Sequence, residues 1–127
     1  MDLEGIKSAC KHFGTHHDVK YNFSSLYDHL GIDITEECYL SHDDSMFGNG
    51  KTGFVITNRG FYAREPFSSK TSFVSFETFA NADEIWGRGG QFFADGKLII
   101  QAGMLSKDDL EELESFLLAQ IKLNAKW

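Results

Sequence analysis

"GFVITNRGFYARE", residues 53–65, reads as two strands folded about the turn Thr57-Asn58-Arg59-Gly60. β-Branched and aromatic residues crowd both arms, and such side chains suit a pleated, half-buried surface. Asn and Gly in the turn tolerate positive φ. This hairpin also decides how to read the stretch in front of it, "SMFGNGKT", residues 45–52, which is one substitution away from a phosphate-binding loop. In the pattern G-x-x-x-x-G-K-[ST], backbone N–H groups cradle phosphates and the lysine reaches the β/γ oxygens. Gly50, Lys51 and Thr52 fit, and Ser45 stands where the first glycine belongs. A site of that kind needs a helix next, so that phosphate meets a helix N-terminus. A strand follows instead, and Asp43 and Asp44 in front would repel an anion. The stretch is expected to be a glycine-rich loop between strands, with no nucleotide cofactor.

Other β signals continue on both sides. "ECYLSHDD" reads as a strand running into a polar turn, and "KTSFVSFETF" as another β-rich run. "NADEIWGRGG" reads as a strand ending in a glycine bend with Trp86 packed inward, the alternative being a binding corner of an aromatic, a cation and three glycines over 86–90. "QFFADGKLIIQA" is the clearest hairpin, because Asp95-Gly96 is a type I′ signal between two apolar runs. Helical spacing appears only at the ends. Leu3, Ile6, Cys10 and Phe13 define a short amphipathic helix over 2–13 with Asp2 as N-cap. Phe23, Leu26, Tyr27 and Leu30 define a second over 22–30, with Gly31 as its stop. Ser106 opens the last helix, whose apolar stripe is Leu110, Leu113, Phe116, Leu117 and Ile121.

The chain has 127 residues, 42% of them hydrophobic and 12 of them Phe, enough for one packed domain over 1–127. Its formal net charge is −7. Nucleic acid and anionic membranes both require clustered Lys and Arg, and the twelve basic residues here are scattered. Both partners are therefore disfavoured, whereas a basic protein partner suits the charge. Cys10 and Cys38 alone do not make a disulfide framework. The N-terminus carries early acids and no apolar core of a signal peptide, and no stretch approaches a membrane span. A cytoplasmic location is expected.

Two short helices, about seven short antiparallel strands and one amphipathic helix imply an α+β, mostly β fold: a bent sheet whose open end the last helix plugs. That order resembles the pleckstrin-homology fold, and more closely the bacterial pleckstrin-homology-like domains. The residues carrying the resemblance are Asp43, Asp44, Phe47, Gly48, Gly50, Gly53 and Phe54, followed by Thr57, Gly60, Phe61 and Tyr62. The likeness covers about residues 36–122, leaving 1–33 as a helical N-terminal extension. It implies a bent antiparallel barrel of about seven strands capped by the C-terminal helix, and it carries over no catalytic residues. In lipid-binding relatives the loop between the first two strands holds several basic residues. Here Lys51 stands alone in it, so the headgroup signature is missing.

Cys10, His12, His16 and His17 contain a helical i, i+4 histidine pair, but paired zinc-ligand spacings are absent, and no metal is expected. Cys38, Ser41, His42 and Asp43 lie close in sequence, with Cys38 and His42 on one face of a strand. No nucleophile elbow accompanies them, and no catalytic residue is expected. The leading reading is a non-enzymatic protein-interaction module without cofactors. Its expected contact surface is the loop 43–51, with Phe47 as apolar anchor among Asp43, Asp44 and Lys51. A second reading is an acidic immunity or inhibitor protein that occludes a basic toxin or enzyme. A third is a small apolar ligand or lipid held in the barrel mouth. The first two helices either pack on the barrel or lend a face for a homo-oligomer.

Overall fold

Seven strands form two antiparallel sheets in the computed structural model, which describes residues 1–16, 23–46 and 48–126. The first sheet runs in sequence order through β1 (Cys38–Asp43), β2 (Gly53–Thr57), β3 (Gly60–Arg64) and β4 (Ser72–Ser75). The second does the same through β5 (Ile85–Arg88), β6 (Gln91–Ala94) and β7 (Lys97–Gln101). Every residue of β2 is buried, because its sheet is covered on both faces. Side chains alternate across a strand. Leu40, Phe54, Ile56, Phe61, Ala63 and Val74 therefore face the second sheet, while Val55, Tyr62 and Phe73 face the opposite way.

The N-terminal helices use these two faces. α1 (Leu3–His16) inserts Ile6, Cys10 and Phe13 into the main core, where Phe13 stacks on Phe116 at 4.8 Å. It runs through Gly14 and Thr15, past the expected end at residue 13. α2 (Phe23–Leu30) lays Leu26, Tyr27 and Leu30 on Val55 and Tyr62. Gly31 ends it at φ +69, and the Ile32 N–H donates back to the Tyr27 carbonyl at 3.0 Å. α1 and α2 thus each contribute buried residues to a core cluster. Behind α2 the buried Glu36 fastens the hairpin: its carboxylate accepts from Thr57 Oγ1 at 2.9 Å and lies 2.8–2.9 Å from the Tyr62 hydroxyl. Burial, followed by this bond to Glu36, pushes the Tyr62 phenol up to about 12.

Three sequence expectations need correction. The barrel is not closed: among the described residues no strand of one sheet pairs with a strand of the other. The chain leaves β4 after four residues and enters α3 (Phe76–Ala80), so "SFETF" is not all strand. Ser75 caps α3 by accepting the Thr78 N–H at 3.1 Å, and Phe76 and Phe79 fill the corner against Phe61. Trp86 packs outward, 42% exposed and stacked on Phe93 at 4.5 Å. Its neighbour Ile85 packs against the core, and at Gly87 a Cβ would lie 2.6 Å from the Phe92 ring. The expected C-terminal helix forms, although it is not uniform. α4 (Lys107–Phe116), capped by Ser106, passes through a π-helical turn (Leu117–Ile121) into α5 (Lys122–Lys126). The wider turn keeps Leu117, Ile121 and Ala125, each four residues apart, buried on one side.

The Asp95-Gly96 hairpin forms with φ +48 and +81, as a type I′ turn requires. Asp95 adds a further role, accepting the Asp83 and Glu84 N–H groups at 2.9–3.3 Å. Among the described residues no helix is long and apolar enough to cross a membrane.

Candidate functional site

Three loops leave the sheets at the same end. Gly53 pairs with Arg64, so the β1–β2 loop (44–52) and the β3–β4 loop (65–71) are neighbours. Thr52 Oγ1 joins them by donating to the Arg64 carbonyl at 2.7 Å. Asp44 brings in the third loop, 102–106. Its carboxylate accepts the N–H groups of Gly103 at 2.9 Å and Met104 at 2.8 Å, Nε2 of Gln101 at 3.1 Å and Nε2 of His42 at 2.9 Å. One side chain at the end of β1 thus clasps the two sheets together. Burial raises the Asp44 carboxyl, but the bonds from His42, the Met104 N–H and Gln101 together hold it below the usual carboxylate range.

Asp43 organises the loop itself. Its carboxylate accepts from the Ser45 N–H at 3.0 Å, the Ser45 hydroxyl and the Gly50 N–H at 3.1 Å. Ser45 Oγ in turn accepts the Asn49 N–H at 2.8 Å, and Asn49 Oδ1 accepts the Lys51 N–H at 3.1 Å. The Gly50 N–H that a phosphate would use is thereby engaged by the chain's own anion. Strand β2 follows directly, so no helix dipole adds to it. Two glycines seat the loop: a Cβ on Gly50 would lie 2.5 Å from Ser25 of α2, and one on Gly53 2.1 Å from the His42 carbonyl oxygen.

These contacts place the expected site residues other than Phe47. Asp43 and Asp44 are buried, at 1% and 6% exposure, not displayed on the surface as expected. A carboxylate pair at a strand end reads as polar and outward, but here each carboxylate is turned in by N–H donors that satisfy it. Lys51 is exposed. Phe47 lies outside the described residues, as does His17; nothing is described of the His16 and Phe23 side chains. Cys38 and His42 do not share a face. A bulge between Cys38 and Leu40 turns Cys38 toward α2, while His42 packs on the Phe54 ring in the core. His42 Nδ1 and Ser41 Oγ are buried without hydrogen-bond partners. Neither free cysteine is activated: burial pushes the Cys10 and Cys38 thiols up. Among the described residues no group of three or more His, Cys, Asp or Glu side chains is placed to hold a metal.

The loop end displays three large apolar side chains among its polar ones. Met46 is 75% exposed in the first loop, Phe67 108% in the second and Met104 51% in the third. Phe67 sits third in the turn Glu65-Pro66-Phe67-Ser68, with φ +63, and the Ser68 N–H donates to the Glu65 carbonyl at 3.3 Å. Sequence reasoning passed over Phe67 and Met104. The one available signal was "REPFSSK", where the only proline is followed by a large ring within a polar run. Comparisons with known protein families, curated proteins and solved structures find no match for this chain.

Proposed function

We propose that the chain is a non-enzymatic protein-interaction module of pleckstrin-homology-like type, which meets its partner with the loop end carrying Met46, Phe67 and Met104. The observation that carries this reading is the Asp44 clasp. It fixes two loops from different sheets, so their exposed methionines are presented from a set scaffold. Flexible, polarisable Met side chains suit protein contacts, and a set backbone lowers the ordering cost of binding. The arrangement of four strands, three strands and a C-terminal helix supports the pleckstrin-homology-like likeness. Fully buried Phe54, Phe61, Phe76 and Phe79 occupy the space between the sheets, which weighs against an internal lipid or apolar ligand.

Acids just behind Met104 favour the inhibitor form of this reading. Asp108 and Asp109 occupy the first turn of α4, and a basic target suits them. The test is quantitative affinity purification from the native host, with the wild type and the Met46→Ser/Met104→Ser variant as baits. A specific protein depleted about tenfold with the variant, equivalent to about 1.4 kcal/mol, is the expected result. Equal recovery by both baits would remove the loop end from the interaction.

A further inference from the structure

We infer that Phe67 is a preset anchor that inserts into an apolar pocket, rimmed by basic residues, on a folded protein partner; this rests on the protein-interaction reading above. The ring is fully exposed, and its backbone occupies the left-handed region at φ +63. The third position of such a Pro-initiated turn normally takes glycine or asparagine. A large ring there is unfavourable for the backbone and gains no burial. The fold therefore does not explain why phenylalanine occupies the position; a contact made outside the chain does.

The turn is also braced. Pro66 fixes its own φ, and Arg64 donates from Nε to the Ser68 carbonyl at 2.7 Å and from Nη1 to the His29 carbonyl of α2 at 2.5 Å. Lys70 N–H donates to Ser68 Oγ at 3.1 Å. Arg64 thus ties the turn to a packed helix, so the backbone that presents the ring is set before any partner arrives, which lowers the ordering cost of binding.

Shape and charge choose the occupant. A single projecting ring is complementary to a concave apolar pocket, the anchor geometry of protein interfaces. One buried side chain is too little to hold a protein on a bilayer, where even a myristoyl chain binds marginally. Anionic lipid and nucleic acid would also meet the wrong charge. Lys51, Lys70 and Lys107 stand at this end with Glu65, Asp108 and Asp109, so its own charges are mixed. The chain as a whole carries a formal charge of −7, so a basic rim is the complementary one.

The test places the photo-crosslinker p-benzoylphenylalanine at position 67, at position 46, and at Ile34 as an exposed control in the α2–β1 connection. Each full-length protein is irradiated in cells of the native host. The expected result is one adduct from positions 67 and 46, identified by mass spectrometry as a single basic protein. Excess wild type should compete the adduct at 67, and Phe67→Gly should compete about tenfold less well, the loss expected for one buried ring. Phe67→Gly should unfold at no lower urea concentration than the wild type, so weaker competition is not loss of fold. Adducts from 46 alone, equal competition by Phe67→Gly, or a lower urea midpoint for that variant would overturn the anchor and leave the interaction reading standing. Adducts at neither site above the Ile34 control would overturn both. Adducts to a second copy, to lipid or to nucleic acid would overturn the occupant.

Discussion

Replacing Asp44 by alanine removes the acceptor for four donors at once. The Gly103 and Met104 N–H groups lie near the surface, where water can take over. Nε2 of His42 and of Gln101 belong to residues only 1% and 4% exposed, which water does not readily reach. Each buried donor left unpaired costs about 1–3 kcal/mol, so the two together give about 3–4 kcal/mol. That is a large share of a total stability of about 5–15 kcal/mol. With a urea slope near 2 kcal/mol/M, the midpoint followed by far-UV circular dichroism should fall by about 1.5–2 M. Asp44→Asn keeps the shape but turns an amide toward donors, and should lose somewhat less. The acid limb adds a second readout. Because the folded-state carboxyl lies below its usual range, its stabilisation is fully present above the unfolded value of about 3.9. It is lost as pH falls from there through the folded value, so wild type should weaken more steeply than Asp44→Asn in that window. An Asp44→Ala variant within about 0.5 kcal/mol of wild type, with an unchanged acid slope, would refute the clasp and return Asp44 to the surface as a contact residue.

Gly53→Ala should be strongly destabilising, by more than about 2 kcal/mol, because φ +145 is strained for alanine and its Cβ would meet the His42 carbonyl at 2.1 Å; a urea midpoint near wild type would show that β1 and β2 can separate there at little cost. Isothermal titration of the wild type with Mg-ATP should give no saturable heat in the micromolar range, since Asp43 already engages the loop's Gly50 N–H. Micromolar binding that disappears in Lys51→Ala would overturn that reading.

The strands were legible where local chemistry and tertiary packing agree. "GFVITNRGFYARE" and "ADGK" carry their own turns, and Ser106 carries its own cap, so each forms where the sequence places it. Reading failed where partners are distant. Gln101, Gly103 and Met104, 57–60 residues away, turn Asp44 inward, and no short window contains them. Phe76 and Phe79 read as strand residues from composition, yet Ser75 and the corner beside Phe61 make them a helix. Phe67 was hidden for the opposite reason. An apolar ring suggests burial, and its left-handed backbone has no sequence signal beyond the preceding proline. At the candidate site, the loop was found and its inner wiring was not.

The central claim is that the loop end of the sandwich is the contact surface, and chemical-shift mapping tests it most directly. ¹⁵N-labelled protein would be titrated with the purified protein captured by the wild-type bait. The account predicts amide shifts and broadening concentrated at 45–51, 65–70 and 102–106, with the Trp86–Phe93 face and the cleft between α1 and α4, lined by Ala9, His12, Glu112 and Ser115, unchanged. Perturbation centred on that face or that cleft, with the three loops silent, would contradict it.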